Sequence, residues 1–135
     1  MNRLVSILTG CAAGIAVIFV MDMLGHKIFP PPPELNLQNP EDFKKLIALM
    51  PVGAFLLLLG GAFLGSFAGG IVSTWIAREN KFMNVLIVGA VLTALGVLNF
   101  MMIPHPVWFM IASLVIYFAG ALAGYKLTMM IKKNA

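Results

Sequence analysis

Charge is what this sequence has least of. Only 10% of its 135 residues are Asp, Glu, Lys or Arg, and 61% are hydrophobic. A water-soluble domain carries about 25% charged residues. A small protein buries only about two thirds of its surface on folding, so a soluble fold of this composition would leave a large apolar area in water. Lipid must be the solvent for most of the chain. Acids are scarcer than bases, and the net charge is +4. The basic residues stand at the ends of apolar segments, where they orient a protein and meet anionic lipid. No basic run alternates with aromatics, so no nucleic-acid partner is expected.

Cysteine is almost missing. Cys11 alone excludes an internal disulfide and a Cys-x-x-Cys metal pair. Leu8-Thr9-Gly10-Cys11 resembles a bacterial lipoprotein cleavage box. The apolar stretch before it, Leu4 to Ile7, is shorter than the ~7–15 residues an export signal needs. It also continues to Val20, beyond the cleavage point, so no processing is expected there. Catalytic motifs are missing too: no Gly-x-Ser-x-Gly elbow, phosphate loop or His-Glu-x-x-His occurs. No catalytic residue and no cofactor is therefore assigned, and the balance is against an enzyme.

What is present is four long apolar segments, at about 4–29, 51–77, 82–103 and 107–131. Each reaches the ~20 residues needed to cross a hydrocarbon core. Each must be helical, because backbone polar groups in lipid need partners within their own segment. Arg78-Glu79-Asn80-Lys81 and Pro104-His105-Pro106 are tight connections, which make the second, third and fourth crossings consecutive antiparallel hairpins. The first connection is longer. Pro30-Pro31-Pro32-Pro33 cannot continue a helix. Asn39-Pro40-Glu41-Asp42 then starts a new one: a capping side chain, a proline at the first position and acids in the first turn. Phe43, Leu46, Ile47 and Met50 form an apolar stripe on that helix at about 40–50, which suits the membrane surface. The expected fold is all-α: a single transmembrane domain over 1–135, an integral four-helix bundle with a short amphipathic interfacial helix between the first two crossings.

With both termini in the cytoplasm, the inner side holds Arg3, Arg78, Lys81, Lys126, Lys132 and Lys133. The outer side holds Lys27, Lys44 and Lys45 beside Glu34, Glu41 and Asp42. Six basic residues against three favour this single orientation. Trp75 and Trp108 fall near opposite interfaces.

Small residues recur at four-residue spacing. Gly61, Gly65 and Gly69 form one stripe, and Ala62, Ser66 and Gly70 a second beside it. Gly10 and Gly14, and Gly120 and Gly124, repeat the pattern. Such stripes let helix backbones approach closely. Packing within the bundle is the first expectation, and contact with another protomer the second.

Polar residues within the crossings are few. Asp22 and His26 share a helix face. The topology places Asn99, His105 and Ser113 at the same outer end, so the sequence points to one outer polar layer made by these five residues. An ionisable residue in a membrane helix is a functional candidate because it is costly there. Asp22 lies near the boundary, which lowers that cost. Three readings follow: a hydrogen-bonded cap on the bundle, a small binding site, or a weak metal site made by Asp22, His26 and His105, whose donor types suit zinc, iron or copper.

Asp22-Met23-Leu24-Gly25-His26, Phe29-Pro30-Pro31-Pro32, Asn39-Pro40-Glu41 and Ile103-Pro104-His105-Pro106-Val107-Trp108-Phe109 together resemble a group of bacterial four-helix membrane proteins without an established activity. The resemblance spans nearly the whole chain and implies a bacterial, multi-pass inner-membrane protein. In that group an acid, often glutamate, stands where Asp22 does. Three functional classes remain. The first is a non-enzymatic packing component, a homo-oligomer or part of a larger membrane complex, with membrane lipids as partners. The second is a small transporter or channel acting as an oligomer. Small multidrug transporters also have four helices and an acid in the first, but Asp22 is too near the outer end and the surface helix is foreign to them. The charge bias disfavours a dual-topology fluoride channel. The third is a binding or metal site at the outer layer.

Overall fold

The computed structural model describes residues 2–29, 38–49, 51–102 and 106–134. Pro30 to Pro33, Met50 and His105 lie outside these, as do the side chains of His26, Phe43, Leu46 and Ile47. The order is α1 (Asn2–Ile28), α2 (Pro40–Leu49), α3 (Val52–Ile76), α4 (Lys81–Met102) and α5 (Val107–Asn134), with no strand among the described residues. Four helices are long and apolar enough to cross a membrane. At about 1.5 Å per residue α1 is about 40 Å long, enough for the hydrocarbon core and a headgroup layer. The chain is an all-α, multi-pass membrane protein.

Asn39 caps α2 as its side-chain chemistry predicts: its Oδ1 accepts the Glu41 N–H at 3.0 Å. Lys45 and Asp42 pair loosely at 3.9 Å on the same helix. An exposed pair of this kind adds little. Among the described residues α2 does not pack against the long helices.

The four long helices form a rhombus. α3 touches α1, α5 and α4, while α4 touches α1 and α5, so α3 and α4 lie on the short diagonal. α1 and α5 flank them without packing on each other among the described residues. α1 runs antiparallel to α3: Gly10 meets Gly69, Gly14 meets Gly65 and Met21 meets Gly61. α5 runs parallel to α3: Gly120 lies on Phe63 and Ser66, and Gly124 on Phe67 and Ile71. Both termini therefore lie at one end of the bundle, with the α3–α4 turn, and the end of α4 and the start of α5 mark the opposite end.

The turn between α3 and α4 is closed by residues from outside it. Asn80 adopts φ 53°, in the left-handed region that Asn tolerates. Asn2 donates from Nδ2 to the Ile76 carbonyl at 3.0 Å and accepts the Arg78 N–H at 2.8 Å. It thus ties the start of α1 across the end of α3.

The apolar surface is inverted relative to a soluble protein. Leu8, Phe19, Leu56, Phe82, Leu98, Ile111 and Val115 are all exposed on the bundle exterior. In lipid this costs nothing, since hydrocarbon tails are as apolar as the side chains. Two small cores hold the inside. Cys11, Val88 and Leu92 meet between α1 and α4, and Phe55, Leu59 and Phe109 meet between α3 and α5. Phe55 also packs edge-on to Trp108, with ring centroids 5.8 Å apart.

Candidate functional site

The glycine stripes settle first, because they position everything else. A methyl group on Gly69 would stand 2.8 Å from the Gly10 carbonyl oxygen, and one on Gly14 would stand 3.0 Å from that of Gly65. On the other face of α3, a methyl on Gly70 would run into the Ala121 backbone. One on Gly124 would run into that of Phe67, and one on Gly120 into the Ser66 hydroxyl. Each stripe is thus occupied by a helix of the same chain. Gly61, Gly65 and Gly69 form the seam with α1. Ala62, Ser66 and Gly70 form the seam with α5, where Gly120 and Gly124 answer them.

At the opposite end lie the described residues of the expected outer layer. Asp22 is half-buried on α1 and interacts electrostatically with Tyr117 of α5. The ring of Tyr117 lies directly over Gly96 of α4, where any larger side chain would displace it. Asp22 and Gly96 each lie about 9 Å along the helix from this end. Tyr117 starts deeper, but helix side chains lean toward the N-terminus, which carries its phenol outward along α5 to the same level. Ser113 is buried and donates to the Phe109 carbonyl at 2.8 Å. Asn99 is exposed on α4. His105 and the His26 side chain fall outside the described residues, so the suggested Asp22, His26 and His105 triad has one of its three side chains in view. Among the described residues no three His, Cys, Asp or Glu side chains converge.

A second polar region lies at the terminal end and was not singled out from the sequence. Ser6 of α1, Ser73 of α3 and Asn84 of α4 are all fully buried where the three helices meet. The Ser6 hydroxyl donates to the Ser73 carbonyl at 3.0 Å and lies 2.9 Å from the Ser73 hydroxyl. Asn84 donates from Nδ2 to the Ser6 Oγ at 3.3 Å, while its buried Oδ1 has no partner among the described residues. One sequence signal could have found part of this. Ser6, Gly10 and Gly14 on α1, and Gly65, Gly69 and Ser73 on α3, are two stripes of equal spacing, and antiparallel packing places Ser6 opposite Ser73. Asn84 carries no such signal, because a single Asn in the first turn of a crossing reads as a headgroup-level residue.

Beside this network two lysines cover the end of α3. Lys81 and Lys132 each donate to the Thr74 carbonyl at 3.3 Å. Lys81 also donates to the Ala77 carbonyl. Lys132 donates to that of Trp75 at 3.3 Å and sits 4.8 Å above the centre of the Trp75 ring. Helix ends leave carbonyls without intrahelical partners and carry partial negative charge, so ammonium groups are favourable there. Other serine and threonine hydroxyls of the crossings bond to their own backbones. Ser66, Thr74, Thr93 and Thr128 each donate to the carbonyl four residues earlier, at 2.6 to 2.9 Å. Cys11 is buried against Val88 and Leu92, a packing position with no base beside it.

Compared with known protein families, curated proteins and solved structures, the chain matches none.

Proposed function

We propose that this chain is a non-enzymatic component of a bacterial inner membrane, with both termini in the cytoplasm, that assembles with itself or within a larger membrane complex. The observation that carries this reading is the pair of glycine seams. Backbone lies on backbone along both faces of α3, and the hydroxyls between the seams are bonded into their own helices. Such a bundle is built to hold one shape rather than to open a polar route across lipid, which weighs against the transporter reading. The glycines of both seams are used internally, so any partner meets the apolar exterior instead. Ala12 and Ala16 on α1, Ala90 and Ala94 on α4, and Ala119 on α5 are exposed small residues there. The excess of lysine and arginine at the terminal end supports its cytoplasmic placement.

Native mass spectrometry from native-lipid nanodiscs, with metal analysis of the same sample, tests this. An oligomer or a complex with another protein, free of small ligand, is the expected result. A lone protomer overturns the assembly reading. Asp22, a half-buried acid within a crossing, favours a second reading, a small-ligand or metal site at the opposite end. A stoichiometric metal or small molecule that is lost on Asp22→Ala would put that reading in place of the first.

A further inference from the structure

The lysines at the terminal end do more than cap α3. Lys81, Lys132 and Lys133 line a crevice of about 500 Å³ whose remaining walls are Met129 and Met130. Lys81 and Lys132 share the Thr74 carbonyl, so their ammonium groups stand within twice 3.3 Å of each other. A helix C-terminus offers roughly half a unit of negative charge. One ammonium would more than balance it. Two are present, with Lys133 on the same crevice, and no carboxylate among the described residues lies in salt-bridge range of Lys81 or Lys132. The excess positive charge calls for an anion from outside the chain. Each ammonium has three donors, and each spends two on carbonyls.

Trp75 sets the depth of the crevice. It is 51% exposed and lies under Lys132. An exposed indole at the end of a crossing belongs at headgroup level. The crevice therefore opens where lipid phosphates lie, and its methionine walls continue toward the hydrocarbon.

We infer that the crevice formed by Lys81, Lys132, Lys133, Met129 and Met130 is a binding site for the headgroup of an anionic phospholipid. The phosphate meets the ammonium groups and the first part of an acyl chain lies along the methionines. Basic pockets between transmembrane helices are a known means of holding such headgroups. A zwitterionic lipid brings its own cation and has no comparable advantage.

The test uses the full chain in detergent micelles, titrated with phosphatidylglycerol or phosphatidylcholine and read by native mass spectrometry. Phosphatidylglycerol should bind in preference, and Lys132→Gln with Lys133→Gln should weaken it about fivefold per lysine removed. The far-UV circular dichroism spectrum of that variant should match the parent. Lys126→Gln removes an exposed charge from the same helix, outside the crevice, and should leave the preference intact. Equal binding of the two lipids overturns the inference, as does an equal loss in Lys126→Gln, which would mean a general charge effect. Inorganic phosphate at millimolar concentration should not displace the lipid. If it does, the occupant is free phosphate and the lipid assignment fails. Should the lysine pair not fold as Gln, Lys133→Gln alone carries the test, with an expected loss of about fivefold.

Discussion

Two glycines on the same pair of helices should respond in opposite ways to the same methyl group. A methyl at Gly60 of α3 would meet nothing within 4 Å, while one at Gly124 of α5 would collide with the Phe67 backbone and stand 3.0 Å from the Ile71 backbone nitrogen. Both changes replace glycine by alanine inside a helix, which favours the helix by about 0.5–1 kcal/mol. That gain is common to both and cancels when they are compared. What remains is overpacking at Gly124, where the obstacle is backbone and cannot rotate away. Inserting a methylene-sized group into a filled contact costs about 1–3 kcal/mol. Gly60→Ala should therefore be neutral or more stable than the parent, and Gly124→Ala less stable than Gly60→Ala by about 1–3 kcal/mol. Equilibrium unfolding in mixed micelles, followed by circular dichroism against the fraction of denaturing detergent, reads this directly. At 1.4 kcal/mol per tenfold the gap is between about 5-fold and about 140-fold in the folded-to-unfolded ratio. Two variants that agree within about 0.5 kcal/mol would refute the parallel α3–α5 seam and the rhombus built on it.

The buried terminal network should show coupling. Ser6→Ala and Asn84→Ala each break the bond between them, so a double-mutant cycle should return about 0.6 kcal/mol, with an upper bound near 1.7 for a hydrogen bond between membrane helices; additive effects would separate the two residues. Asp22→Asn and Tyr117→Phe should be coupled in the same way, by about 0.5–2 kcal/mol, and independence would mean that Asp22 answers to other groups at that end. The sequence neighbour gives a competing cycle: if Asp22→Ala and His26→Ala are the non-additive pair while Tyr117→Phe is neutral, the helix-face pairing within α1 is the one that matters.

The two polar regions differ in how they could be read in advance. Asp22 and His26 stand out because charge and imidazole are rare in such a chain and lie four residues apart on one helix. Tyr117 does not, because the place of its ring over Gly96 is a fact of which faces meet. Ser6, Ser73 and Asn84 are ordinary residues for the ends of crossings. They become a buried cluster only because three helices close over them. Lys81 and Lys132 are 51 positions apart in the chain, and nothing local brings both to the Thr74 carbonyl.

The division between sequence and structure therefore follows the range of the forces involved. Composition and segment length alone determined that the chain crosses a membrane four times as helices, since lipid satisfies no backbone polar group and a crossing needs a fixed length. Proline and asparagine placed the break after α1 and the start of α2 through local backbone geometry. Four-residue spacing announced close helix contact but not the partner, because α3 carries small residues on two faces and any smooth face could have served either one. The connections had already fixed the direction of each crossing; tertiary packing decided that one face of α3 takes α1 and the other takes α5. That choice turned scattered lysines, serines and an asparagine into a basic crevice beside a buried polar network: helix order around the bundle is set by which surfaces fit, and fit is a property of pairs of faces, not of any one segment.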